Sequence, residues 1–220
     1  MTAELDYRDY WERAFTFDRY VANEVETNRS LWEGIYKKSR TPESAIRRAA
    51  EIGGRWKLLV LSEAWCGEAS NSVPVLARFA EDVPNFELRI IKRDENLELM
   101  DRYLTDGSRS IPISIILDEA FQPIGAWGPR PVELQEFVLG EKAGGVRPNE
   151  EIYVDTRRWY ARDKGETTLR ELLQRVGAPM VMGLTFRPSP RAQRLNRSLS
   201  QRPVSMVTVL GGIGPSAGDG

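Results

Sequence analysis

Apolar residues recur at three- and four-residue steps early in the chain: Trp11, Ala14 and Phe15, then Phe17, Tyr20, Val21 and Val25, then Trp32, Ile35 and Tyr36. That spacing lines one side of a helix and predicts two or three amphipathic helices within the first 53 residues. Thr41-Pro42-Glu43-Ser44 is the clearest start signal, with Thr41 as N-cap and Pro42 as the first helical residue, and Gly53-Gly54 stops the helix it opens. The pattern then changes. Residues 56–61 form a short apolar run, as in a strand buried on both faces of a sheet. Val73, Val75, Leu76, Phe79, Ala80 and Val83 return to helical spacing, with Pro74 expected to kink the helix by removing an amide hydrogen.

A strand is expected over 87–92, then a short helix over 97–104 closed by Asp106-Gly107. Residues 113–117 and 124–127 read as a hairpin, followed by a helix over 132–139 and two more, 150–164 and 169–176, split at Gly165. Strands alternating with helices predict an α/β fold, a central mixed sheet flanked by helices. The helices of residues 1–53 form an extension packed on the core, and the core domain with its C-terminal helices spans 54–178. From Thr185 onward Ser, Pro and Gly dominate, with Arg187, Arg191, Arg194, Arg197 and Arg202 against a single acid, Asp219. Residues 179–220 are read as a flexible Arg/Pro/Ser/Gly-rich tail with no assigned function, because spaced arginines without interleaved aromatics are a weak nucleic-acid signal.

Composition narrows the chemistry more than it narrows the fold. Lys and Arg total 31 against 32 Asp and Glu, so a net charge of −1 exerts no overall pull on nucleic acid or anionic lipid. Histidine is absent, which removes every Ser-His and Cys-His nucleophile pair and the commonest zinc ligand. Cys66 is the one cysteine, so no intrachain disulfide and no cysteine-based metal cage exists. No cofactor and no metal are expected. The N-terminal run lacks the basic and apolar segments of an export signal, and no apolar stretch approaches the roughly 20 residues that span a bilayer. A cytoplasmic location, with no membrane partner, is the expectation.

The most informative segment runs from Val60 through Leu61, Ser62, Glu63, Ala64, Trp65, Cys66, Gly67 and Glu68 to Ala69, a buried strand entering a turn that opens a helix. A cysteine just before the first helical turn faces unpaired amide hydrogens and the positive end of the helix dipole, and both favour thiolate. Glu68 in that first turn opposes them, since its charge raises the thiol pKa.

Four separated signals in this region resemble the thioredoxin superfamily. They are Trp65-Cys66-Gly67, Pro74 eight residues after the cysteine, Asp94-Glu95-Asn96 after the next strand, and Arg109-Ser110-Ile111-Pro112. Gly128 also matches the glycine that this superfamily packs against its redox turn. With Arg93 and the run from Trp127 to Pro131, the pattern is similar to a bacterial group of thioredoxin family proteins. The resemblance covers about residues 55–140 and implies a thioredoxin-like fold, a cis Ile111-Pro112 bond and a groove for an extended peptide. It makes Cys66 the catalytic residue and Trp65, Gly67, Ile111, Pro112, Trp127 and Gly128 the substrate-binding residues. Arg109 and Arg130 become nearby cations able to pair with a thiolate or a substrate carboxylate. Read without it, the tryptophans are core residues, the arginines solvated, and Pro112 an ordinary trans proline at a strand start.

Two departures shape the function. Ala69 occupies the superfamily's resolving-cysteine position and Val60 the position of its buried carboxylate, leaving Glu63 and Glu68 as the acids close in sequence. An internal disulfide cycle is therefore impossible. One reading is a monothiol oxidoreductase in which Cys66 forms a mixed disulfide with a protein or low-molecular-weight substrate and an external reducing thiol resolves it. The other is a non-catalytic peptide- or protein-binding module, and a third possibility makes Cys66 only a small buried hydrophobe.

Overall fold

The computed structural model describes residues 5–177; the expected tail over 179–220 lies outside them. Four helices come first, α1 (Tyr7–Arg13), α2 (Phe17–Asn23), α3 (Arg29–Lys38) and α4 (Glu43–Ile52). They are followed by β1 (Trp56–Ser62), α5 (Gly67–Asp82), β2 (Phe86–Lys92), α6 (Leu97–Met100) and the hairpin β3 (Ile113–Leu117) and β4 (Pro123–Trp127). Three helices close the described chain: α7 (Val132–Gly144), α8 (Asn149–Asp163) and α9 (Glu166–Val176).

The strands form one four-stranded sheet in the order β2-β1-β3-β4. β1 runs parallel to β2, with Val60 opposite Ile90, and antiparallel to β3, where Val60 faces Ser114. β3 pairs antiparallel with β4, Ser114 opposite Trp127. β1 and β3 are central strands covered on both faces, which is why their sequences read as near-continuous apolar runs rather than alternating ones. Leu58, Phe86, Ile116 and Trp127 pack with Ala49 of α4, Leu76 and Phe79 of α5, and Leu169, Leu172 and Leu173 of α9. Leu59, Leu61, Ile91, Ile113 and Ile115 belong to a second cluster with Tyr10 and Trp11 of α1, Leu99 and Met100 of α6, and Tyr20 and Trp32 of α2 and α3. Each fully buried Leu or Ile contributes about 1.5–3 kcal/mol.

The second cluster also contains Cys66, Ala69 and Val73, so the N-terminal helices share a core with the start of α5. Phe15, between α1 and α2, exchanges two backbone hydrogen bonds with Ile90, both 2.8 Å, and thereby covers the outer edge of β2. Nothing in the apolar spacing announced that bridge.

Several expected boundaries move. The N-terminal 53 residues hold four helices rather than two or three, because the chain turns at Ala14–Thr16 and again before Arg29. α4 begins at Glu43, with Pro42 as the extended N-cap, and the Thr41 hydroxyl donates to Asp82 Oδ2 at 2.7 Å instead of capping the helix. α5 runs through Pro74 without a break, the missing amide leaving the Ser70 carbonyl without its usual donor. α6 stops at Met100, after which Asp106 and Gly107, with φ of 49° and 78°, make a tight turn bridged between Thr105 and Ser108. α7 runs to Gly144 rather than ending at residue 139.

Candidate functional site

The parallel β1–β2 pairing leaves β1 pointing its C-terminal end at a short turn, and α5 starts where that turn ends. Cys66 is the N-cap of α5, extended at φ −76° and ψ 116°, with its amide donating to the Glu63 carbonyl at 3.1 Å. Its sulfur faces the amide hydrogens of Glu68 and Ala69, which favour the thiolate. On the other side Sγ donates to the Ile111 carbonyl at 3.5 Å, and the Ile111–Pro112 bond is cis. The first turn of α5 and the entry to β3 thus meet at one sulfur, 45 residues apart in sequence.

Cys66 is only 8% exposed, and this dominates its acidity. Burial pushes the thiol above its ordinary range, and the charge of Glu68 adds to that, against the two amides and Arg130. Of the opposing influences at the helix start, burial prevails, because stripping water from a thiolate outweighs two amide dipoles.

Glu68 and Arg130 come together as a buried ion pair, Nη2 to Oε1 at 3.0 Å. The hydroxyl of Tyr160 on α8 donates to the other carboxylate oxygen at 2.7 Å. Tyr160 was not among the sequence candidates, since no spacing rule connects it to a residue 92 positions away. Glu63 is buried and accepts the Asp94 amide at 2.7 Å, so its carboxylate braces the loop after β2; burial pushes its pKa up. Val60, at the position of the superfamily's carboxylate, is fully buried among apolar neighbours.

The two tryptophans take opposite roles. Trp65 is 61% exposed beside the thiol, with the Arg93 guanidinium 5.1 Å from its ring centre. Trp127 is 1% exposed, packed in the core, with its indole N–H donating to Glu171 at 3.0 Å; it is not a groove wall. Arg109 is also reassigned: it forms a paired contact with Asp101, at 2.7 and 2.9 Å, and is turned to that carboxylate rather than to the sulfur. Gly67 opens α5 with open space where a side chain would stand. Gly128 packs against Pro112 so closely that a Cβ there would lie 2.2 Å from its carbonyl oxygen.

Among the described residues no cluster of His, Cys, Asp or Glu is arranged to hold a metal ion, and no helix is long and apolar enough to cross a membrane.

The sequence profile of the family described as thioredoxin matches residues 14–148, more than half the chain. The chain belongs to the thioredoxin family. Two solved structures share its fold, each with a TM-score of 0.63. One is a Pseudomonas aeruginosa protein of unknown function, 22% identical, with 79% of this chain and 98% of that one covered. The other is an HIV epitope scaffold, 21% identical, with 80% and 100% covered. No curated protein matches. The matched thioredoxin region contains Cys66, the Ile111–Pro112 segment, Gly128 and Arg130, whereas Tyr160 lies beyond it.

Proposed function

We propose that this thioredoxin family protein carries out thiol–disulfide exchange through Cys66 as a monothiol, on a protein or low-molecular-weight disulfide, with an external thiol completing the cycle. The observation that carries this reading is the position of Sγ, at the N-cap of α5 against the amides of Glu68 and Ala69 and beside the Ile111 carbonyl. Those amides stabilise negative charge on sulfur both when the thiolate forms and when Cys66 is later the leaving group.

Cys66 first loses its proton to solvent. The thiolate attacks one sulfur of the substrate disulfide, the Cys66–substrate S–S bond forms, the original S–S bond breaks, and the departing thiolate takes up a proton. An external thiolate then attacks the substrate sulfur of the adduct, releasing Cys66 and a new disulfide. With Ala69 at the resolving position, the second step is intermolecular, and a reducing compartment such as the cytoplasm supplies the thiol. Burial keeps most of Cys66 protonated at rest, but a thiolate of higher pKa is the stronger nucleophile once formed. Exposed Trp65, with Gly67, Ile111, Pro112 and Gly128, borders the approach, where an extended substrate pairs with the backbone at Ile111.

Incubating the full chain with oxidised glutathione at about pH 9 and measuring intact mass tests the reading. One mixed disulfide is expected, located on Cys66, released by 2-mercaptoethanol and absent from Cys66→Ser. No adduct under those conditions would defeat the exchange reading and leave the peptide-binding module, for which protection of the Ile111 amide from hydrogen exchange by an extended peptide is the measurement.

A further inference from the structure

α8 lies outside the thioredoxin-matched residues, yet it sends one side chain back to the first turn of α5. Each oxygen of the Glu68 carboxylate is held by a different distant element: Oε1 by Arg130, between β4 and α7, and Oε2 by the Tyr160 hydroxyl. All this happens in the interior. Tyr160 is itself fixed, edge-on to Trp159 with ring centres 5.5 Å apart and packed with Leu134, Val138 and Ile152. A buried ion pair of this kind adds little net stability over apolar residues of similar volume. Its placement two residues past the thiol gives it a different use.

We infer that Tyr160 is a positioning residue for Cys66 that acts through Glu68, holding the carboxylate in its pair with Arg130 so that the sulfur faces a neutralised pair instead of a bare anion. The purpose of the device rests on the exchange reading above; its effect on the thiol does not. Glu68 disfavours the thiolate and Arg130 favours it, so the balance at sulfur depends on how firmly the two are held together. Two tyrosines also face Cys66, Tyr160 itself and Tyr20 of α2, both kept protonated by burial, and Glu63 and Glu24 lie beyond Tyr20.

The test is the pKa of Cys66 in the full chain, read from the pH dependence of its alkylation by iodoacetamide. Tyr160→Phe is expected to raise it by about half a unit and Glu68→Gln to lower it by about one unit. The double variant should match Glu68→Gln, because without a charge at position 68 the tyrosine has nothing to transmit. An unchanged pKa in Tyr160→Phe, or a shift from Tyr160→Phe that persists in the Glu68→Gln background, would overturn the inference. Should Tyr160→Phe fail to fold, 3-fluorotyrosine placed at position 160 takes its stead: its more acidic hydroxyl donates more strongly to Glu68, so a lowered Cys66 pKa supports the role and an unchanged one overturns it. A chain that shows these shifts but forms no mixed disulfide keeps this inference and loses the exchange reading; an adduct with no shifts does the reverse.

Discussion

A Cβ on Gly128 would stand 2.2 Å from the carbonyl oxygen of Pro112 and 3.2 Å from Cα of Ile113. The two backbones are therefore in direct contact at the entry to β3, next to the segment that receives the Cys66 thiol. Gly128 also has φ +132°, which side chains rarely adopt, so Gly128→Ala meets strain and collision together. A loss of about 3 kcal/mol or more is expected in denaturant unfolding, with faster alkylation of Cys66 as the Ile111–Pro112 segment is displaced. An unchanged unfolding midpoint would contradict the packing.

Burial raises the Cys66 thiol in the folded state, while the unfolded chain ionises near the ordinary value of about 8.5. Above that pH the unfolded state has released a proton that the folded state still holds, so stability falls as pH rises toward the folded pKa. Unfolding free energy should decline as pH rises above about 8.5, and Cys66→Ser should make that decline shallower, the buried tyrosines continuing it at higher pH. Alkylation should still be accelerating above about pH 10, where a free thiol has levelled off.

Glu63 is pushed up by burial, so its charged form is the one the fold disfavours. The folded state loses stability as pH rises through about 4.3 toward the raised value. Glu63→Gln keeps an acceptor for the Asp94 amide and removes the charge, and should be neutral or stabilising at neutral pH, with the difference vanishing in acid. Glu63→Ala should instead cost about 1–3 kcal/mol, by orphaning that amide. Melting curves at two pH values separate the outcomes.

Gly165 joins α8 to α9 at φ +87°, and a Cβ there would lie 2.3 Å from Val75 Cγ1 on α5. Gly165→Ala should cost about 2 kcal/mol by calorimetry. Because the turn anchors the helix that carries Tyr160, the Cys66 pKa should move as well.

Trp65 is exposed beside a buried thiol, so its ring contributes little to the core. Trp65→Ala should leave stability within about 0.5 kcal/mol. Adduct formation with a peptide disulfide should slow several-fold, while alkylation by a small reagent should not.

Much of this molecule was legible along the chain. The order of helices and strands from Trp56 to Val176 follows from local signals: apolar runs for β1 and β3, helical spacing in α5 and α9, and turn residues around Asp118–Pro123 and at Gly165. So does Cys66 at the start of a helix, because a strand, a polar turn and helical spacing follow each other there within a few residues. Boundaries were less secure. Pro42 suits either the N-cap or the first helical position, and a tertiary hydrogen bond from Thr41 to Asp82 took away the competing cap.

The site's chemistry was settled by the third dimension. Trp65 and Trp127 are indistinguishable as sequence candidates, yet one lies on the surface and the other under α9, since exposure depends on which elements come to cover a residue. Arg109 and Arg130 looked alike too; a carboxylate brought near each by folding, Asp101 for one and Glu68 for the other, assigned the first to the surface and the second to the thiol. The sequence by itself determined the fold class, the single thiol and its place at a helix start, because these depend on residues close together in the chain. Only the tertiary structure decided that Cys66 is buried, which pushes its thiol pKa up, and that Tyr160 reaches Glu68, because desolvation and long-range contact are sums over atoms whose neighbourhood the linear order does not contain.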